Sequence, residues 1–151
     1  SETIERAASY LWNPGISVLN QSSIVAKNPF VTSMHDITEG GLSTALSELS
    51  IASNVGVLVN LSEISILPET RTVCDALGLN PLGLISSGAL IATVKNEGLD
   101  ELIQSLESQG FPAFQIGEIV SADCGLKLSK GNEEIISLPL FERDELARFY
   151  G

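Results

Sequence analysis

One histidine, two cysteines, one methionine and eight basic residues are all that 151 positions hold of the side chains most often used to grip soft metals or polyanions. Acidic residues outnumber basic ones by 19 to 8, a formal charge of −11. Any broad face of such a chain repels nucleic-acid phosphates and anionic lipid headgroups, so neither nucleic acid nor membrane is an expected partner. Cys74 and Cys124 lie far apart, without CxxC spacing or a neighbouring histidine. That excludes a zinc module and leaves buried free thiols as the expectation. The longest apolar run, residues 82–94, is broken by Gly83, Ser86, Ser87 and Gly88, so no bilayer-spanning helix is expected. The start, Ser-Glu-Thr, lacks the basic-then-apolar pattern of a secretory signal, which points to a cytoplasmic protein. With Met34 as the only methionine, the chain reads as a domain cut from something longer. There is no GxxxxGK[ST] loop, no dinucleotide fingerprint, no internal repeat and no linker.

What remains is 44% apolar, enough for one domain with a real core over residues 1–151. Ile4, Ala7, Ala8, Leu11 and Trp12 fall at helical spacing before the Asn13-Pro14-Gly15 break. Residues 16–29 show no clear period. A strand at 30–35, a helix at 41–52, a strand at 55–59 and a helix at 69–77 follow, the last entered through Pro68 and ended by Gly78. A third strand at 88–94 leads into a helix striped by Leu99, Leu102, Ile103 and Leu106 before Gly110, with Glu97, Asp100, Glu101 and Glu107 on its solvated face. Strands at 113–120, 125–129 and 134–138 come next, the last two joined at Gly131-Asn132 like a hairpin. A short helix at 143–149 ends the pattern, and Phe141, Phe149 and Tyr150 read as core or interface packing. The fold class is α+β, a mixed sheet covered by helices.

The chemistry concentrates at Met34-His35-Asp36-Ile37-Thr38-Glu39-Gly40-Gly41-Leu42. Paired glycines at a strand-to-helix junction allow positive φ or a close backbone approach. Two readings stand. Asp36 or Thr38 caps the helix, with Glu39 completing the cap. Alternatively the N–H groups of Gly40, Gly41 and Leu42 face a phosphate, and Asp36 or Glu39 holds a magnesium ion or water beside it. His35, at the strand end, is a candidate general base, a hydrogen-bond donor to developing negative charge, or a locally satisfied side chain. The loop Ile85-Ser86-Ser87-Gly88-Ala89 is either a tight turn or a second contact, through Ser87 and Gly88, with the same ligand.

Taken in order, these motifs, with Ala45-Leu46-Ser47-Glu48 and Cys74-Asp75-Ala76-Leu77-Gly78-Leu79-Asn80-Pro81-Leu82 between them, resemble the C-terminal domain of the aminoimidazole ribonucleotide (AIR) synthase superfamily. The resemblance covers residues 30–120 and is nearest in flavour to the hydrogenase expression/formation members. It implies an α+β domain with partial ferredoxin-like topology that forms one wall of a nucleotide cleft. It further implies an N-terminal ATP-binding domain as the other wall, a homodimer of the full-length protein, and ATP and Mg as cofactors that depend on that domain. The reaction implied is phosphorylation of a carbonyl-type oxygen. Carried over by position, Asp36, Thr38, Gly40 and Gly41 face phosphates or the activated substrate, His35 and Glu39 position it, and Ser87 and Gly88 lie opposite. The chain lacks the family's magnesium-binding aspartates, so alone it is expected to be inactive. It ends Arg148-Phe149-Tyr150-Gly151, without the C-terminal carrier cysteine of the hydrogenase-maturation branch. A non-catalytic regulatory or assembly module that retains the fold is the alternative.

Overall fold

The computed structural model describes residues 2–131 and 134–151. Among the described residues, six α-helices and six strands follow one another: α1 (Glu2–Ser9), α2 (Leu19–Val25), β1 (Val31–Ile37), α3 (Gly41–Ser53), β2 (Gly56–Asn60), α4 (Pro68–Leu77), β3 (Ala89–Val94), α5 (Asn96–Glu107), β4 (Gly117–Val120), β5 (Leu126–Ser129), β6 (Ile135–Ser137) and α6 (Glu145–Tyr150).

The strands divide between two sheets instead of forming one. β1 and β3 make an antiparallel pair, and β4-β2-β5-β6 make a four-stranded mixed sheet in which β2 runs parallel to β5 and antiparallel to β4. Central β2 is the most buried strand, and Val59 is fully buried with Val57 beside it. Leu46 and Leu49 of α3 pack on this strand together with Leu82, Leu128 and Leu138, while Ile91 of β3 and Phe141 close the cluster from its edges. α3 is therefore clamped between the mixed sheet and the two-stranded ribbon, and its first turn emerges where the ribbon ends.

Several boundaries differ from the sequence reading. The opening helix stops at Ser9, and Leu11 and Trp12 fall in a wide turn around Pro14. Residues 19–25 form α2, masked in sequence by Asn20, Gln21, Ser22 and Ser23 but anchored by buried Val25. β1 continues two residues past His35 because Asp36 and Ile37 pair with Leu90 and Ala89. The strand read at 113–120 is ordered as β only from Gly117. β5 and β6 pair antiparallel as a hairpin requires; Asn132 of the expected turn lies outside the described residues. Of the two thiols, Cys74 is buried as expected, whereas Cys124 is exposed on a short turn. Phe141 is packed, but Phe149 and Tyr150 are exposed, touching each other edge to face. No helix among the described residues is long and apolar enough to cross a membrane.

Candidate functional site

The two polar loops singled out in sequence meet at one end of the β1–β3 ribbon. Register decides this: Ile37 faces Ala89, so Thr38-Glu39-Gly40 and Ser86-Ser87-Gly88 are the two chain segments leaving the same end. The Thr38 carbonyl joins them by accepting two N–H groups, from Gly41 at 3.1 Å and from Ser86 at 3.3 Å. Thr38, Glu39 and Ser87 are exposed around this junction, and a shallow groove of about 220 Å³ opens beside it, lined by Glu39, Ile85, Asp144, Leu146, Ala147 and Tyr150.

The glycines are required here, for reasons of backbone and of space. Gly40 and Gly41 both have positive φ, 75° and 63°. A Cβ on Gly41 would stand 2.6 Å from the carbonyl oxygens of Leu82 and Leu84, so the helix start lies directly on the 82–84 backbone. That contact places the second loop against the first.

Neither expected capping residue caps α3. Gly40 holds the N-cap position without a side chain, and the carboxylate comes from Asp144, remote in sequence: its Oδ2 accepts the Gly40 N–H at 2.8 Å. Its Oδ1 accepts the Leu146 N–H at 2.8 Å, so one buried side chain serves the starts of α3 and α6 together. The expectation that Gly40 and Gly41 direct their N–H groups to a phosphate is corrected accordingly. Gly40 donates to Asp144 and Gly41 to Thr38, so these two N–H groups already have acceptors within the chain.

Glu145 secures the same helix from its other side. Its buried carboxylate accepts the Asn80 N–H at 2.7 Å and pairs with Arg148, whose guanidinium also donates to the Gly78 carbonyl at the end of α4. The Arg148 hydrogen bonds, then the Asn80 N–H, hold the Glu145 carboxyl below its ordinary range. α6 is thereby tied to the glycine junction and to the turn that follows α4. Sequence reasoning missed Asp144 and Glu145; the available signal was an Asp-Glu pair opening a helix, which ordinarily indicates only a cap.

His35 projects from β1 toward α3, where Nε2 lies 2.7 Å from Glu48 Oε2. Its Nδ1 lies 3.4 Å from Asp36 Oδ1. The Glu48 hydrogen bond, assisted by Asp36, raises the imidazole pKa despite partial burial. Gly88, in the second loop, carries a φ of 99° and packs near the Gly15-Ile16 backbone. Among the described residues, no group of three or more His, Cys, Asp or Glu side chains is placed to hold a metal ion.

Comparison with known proteins agrees with this arrangement. Residues 18–128 match the family model described as AIR synthase related protein, C-terminal domain. The carbamoyl dehydratase HypE of Rhizobium leguminosarum bv. viciae is 32% identical over 102 residues, which is 66% of this chain and 29% of that protein. The crystal structure of E. coli HypE, a hydrogenase maturation protein, superposes with a TM-score of 0.78 at 26% identity, covering 87% of this chain and 42% of the other. A structure of hydrogenase maturation protein HypE in complex with ATP superposes at 0.71 with 24% identity over 81% of this chain and 39% of the other, a likeness of fold. The chain thus spans well under half the length of these relatives. It belongs to the AIR synthase-related family, as its C-terminal domain.

Proposed function

We propose that this chain is the C-terminal part of an ATP-dependent AIR synthase-related enzyme of the hydrogenase-maturation type, one that activates a carbonyl-type oxygen by phosphorylation. The observation that carries the reading is the meeting of the two motif loops on the Thr38 carbonyl, which creates one polar wall from segments nearly fifty residues apart in the chain. Phosphoryl transfer asks chiefly for positioning and charge stabilisation. In this reading the exposed Thr38 and Ser87 hydroxyls are the donors that meet a phosphate or the activated substrate. Gly40, Gly41 and Gly88 bring backbone close to it, and His35, Asp36 and Glu39 set its surroundings. ATP is held by a HypE of the same fold.

The residues present do not fit magnesium. Asp36 and Glu39 are exposed carboxylates, and among the described residues no third ligand joins them. The metal site and the opposing wall belong to an N-terminal ATP-binding half. Exposed apolar side chains support such a covering partner: Trp12 is 83% and Leu19 68% exposed, with Leu11 and Ile16 nearby in sequence. In the full-length protein we place a homodimer and a cytoplasmic location.

Titration of ATP with Mg²⁺ into the chain alone, and into the chain joined to an AIR synthase-type N-terminal half, tests the reading. Binding in the joined protein only supports it; equal, absent binding in both overturns it. The internal satisfaction of the Gly40 and Gly41 N–H groups favours the second reading, a regulatory or assembly module with the fold retained. Nucleotide-independent partner binding, unaffected by Asp36→Asn, would be its signature.

A further inference from the structure

We propose that Glu48 is a positioning residue for His35, holding the imidazole so that it serves the cleft as a charged hydrogen-bond donor and not as a general base. The proposal rests on the cleft reading above and concerns a residue to which that reading assigns no role.

The geometry begins with the two elements that carry the pair. His35 lies on β1 and Glu48 in the second turn of α3, and the Thr38–Gly40 turn folds the helix back along the strand. At 2.7 Å the Nε2–Glu48 contact has the length of a charge-assisted hydrogen bond. The other ring nitrogen stands 3.4 Å from Asp36 Oδ1. A neutral imidazole carries one N–H, so with a carboxylate beside each nitrogen one lone pair would face a negative charge. Protonation turns both contacts into attractions.

No other titratable side chain enters this balance from the neighbouring elements. α3 contributes only Glu48 between residues 41 and 53, β3 contributes none between 89 and 94, and α2 contributes none between 19 and 25. Glu39, in the loop beyond, adds a further negative charge near the same end. Every titratable group named favours the cation.

The two contacts are unequal, and the inequality has a chemical consequence. Glu48 makes the short, well-formed bond from the helix side; the Asp36 contact is longer than an ordinary N–H···O bond, and its carboxylate is 59% exposed. Asp36 is therefore the replaceable partner. An anionic oxygen of a phosphorylated ligand can take its place on Nδ1–H while Glu48 keeps the ring fixed. A ring protonated and held this way has no lone pair with which to accept a proton.

His35 is the only histidine, so the ring resonances of the isotope-labelled chain report it without assignment. Wild type should titrate above the ordinary histidine value of 6.5, with both ring nitrogens protonated below its midpoint. Glu48→Gln should lower the midpoint toward that value and by more than Asp36→Asn does. An unchanged midpoint in Glu48→Gln, with the backbone spectrum showing the fold intact, overturns the proposal. In the chain joined to an N-terminal half, ATP turnover should fall as pH rises through the wild-type midpoint, and this descending limb should move to lower pH in Glu48→Gln. A turnover that instead rises through the midpoint identifies a base and also overturns it. The ring titration needs no nucleotide, so its failure is distinct from a failure of ATP to bind.

Discussion

The Asp144 carboxylate accepts the Gly40 N–H at 2.8 Å, joining the last helix of the chain to the glycine junction that begins α3. Since the same side chain caps α6 through Leu146, its removal opens two helix starts at once. Asp144→Ala is expected to cost about 1–3 kcal/mol, the range of one to two lost caps with a buried N–H left unsatisfied. Urea unfolding measures the loss, and hydrogen exchange should quicken first at the Gly40 amide. Exchange quickening elsewhere but not at Gly40 would contradict the bridging role.

Glycine at 41 is held by space as much as by backbone. Gly41→Ala drives a Cβ against two carbonyl oxygens in addition to forcing a side chain to positive φ, and should cost about 2–5 kcal/mol. Gly78 has nearly the same φ, 64°, with nothing within 4 Å of its virtual Cβ. Gly78→Ala should therefore cost only about 1 kcal/mol. Equal losses in the two thermal melts would remove the close approach as an explanation.

Acid should release α6 through Glu145. Its carboxyl is held below the ordinary value of 4.5 by Arg148 and the Asn80 N–H, so the folded state binds the proton less readily than the unfolded chain. The resulting stability is fully present above 4.5 and is lost as pH falls through the lower folded value. Glu145→Gln should flatten the acid limb of a stability-against-pH curve while lowering its neutral plateau. An unaltered acid limb would show that other carboxylates govern it.

The His35 pair acts in the opposite sense. A raised folded pKa contributes stability that is complete below 6.5 and disappears as pH rises through the folded value. With Glu48 58% exposed, the effect should stay within about 1 kcal/mol. Melting curves of wild type and Glu48→Gln should converge above that window and separate below it.

On the cleft wall, Thr38→Val removes a hydroxyl while retaining the β-branched shape. In the chain joined to an N-terminal half, it should weaken ATP binding about tenfold, the equivalent of one hydrogen bond to a charged group. Calorimetric titration provides the measurement, and unchanged affinity would take Thr38 off the wall.

Much of this architecture was legible because its signals are local. The Pro68 entry and Gly78 stop of α4, the leucine stripe of α5 and the β-branched run of β2 depend on neighbours within a few residues, and each element formed where its pattern lies. α2 escaped notice because its polar residues hide the period, and its anchoring contact against α5 is supplied by the fold. The extension of β1 beyond His35 likewise depended on a partner, since only pairing with β3 keeps Asp36 and Ile37 extended.

By itself, the sequence determined the family, the α+β class, the glycine junction and the second loop, since each is written in residue types at short spacing. Tertiary structure alone decided how those pieces meet. It set two sheets in place of one, gave the Gly40 N–H to Asp144 and the Gly41 N–H to Thr38, and paired His35 with Glu48. Capping follows from distance and direction, not from order along the chain. A buried N–H donates to whichever carboxylate the packing delivers, and here packing delivered one from the far end.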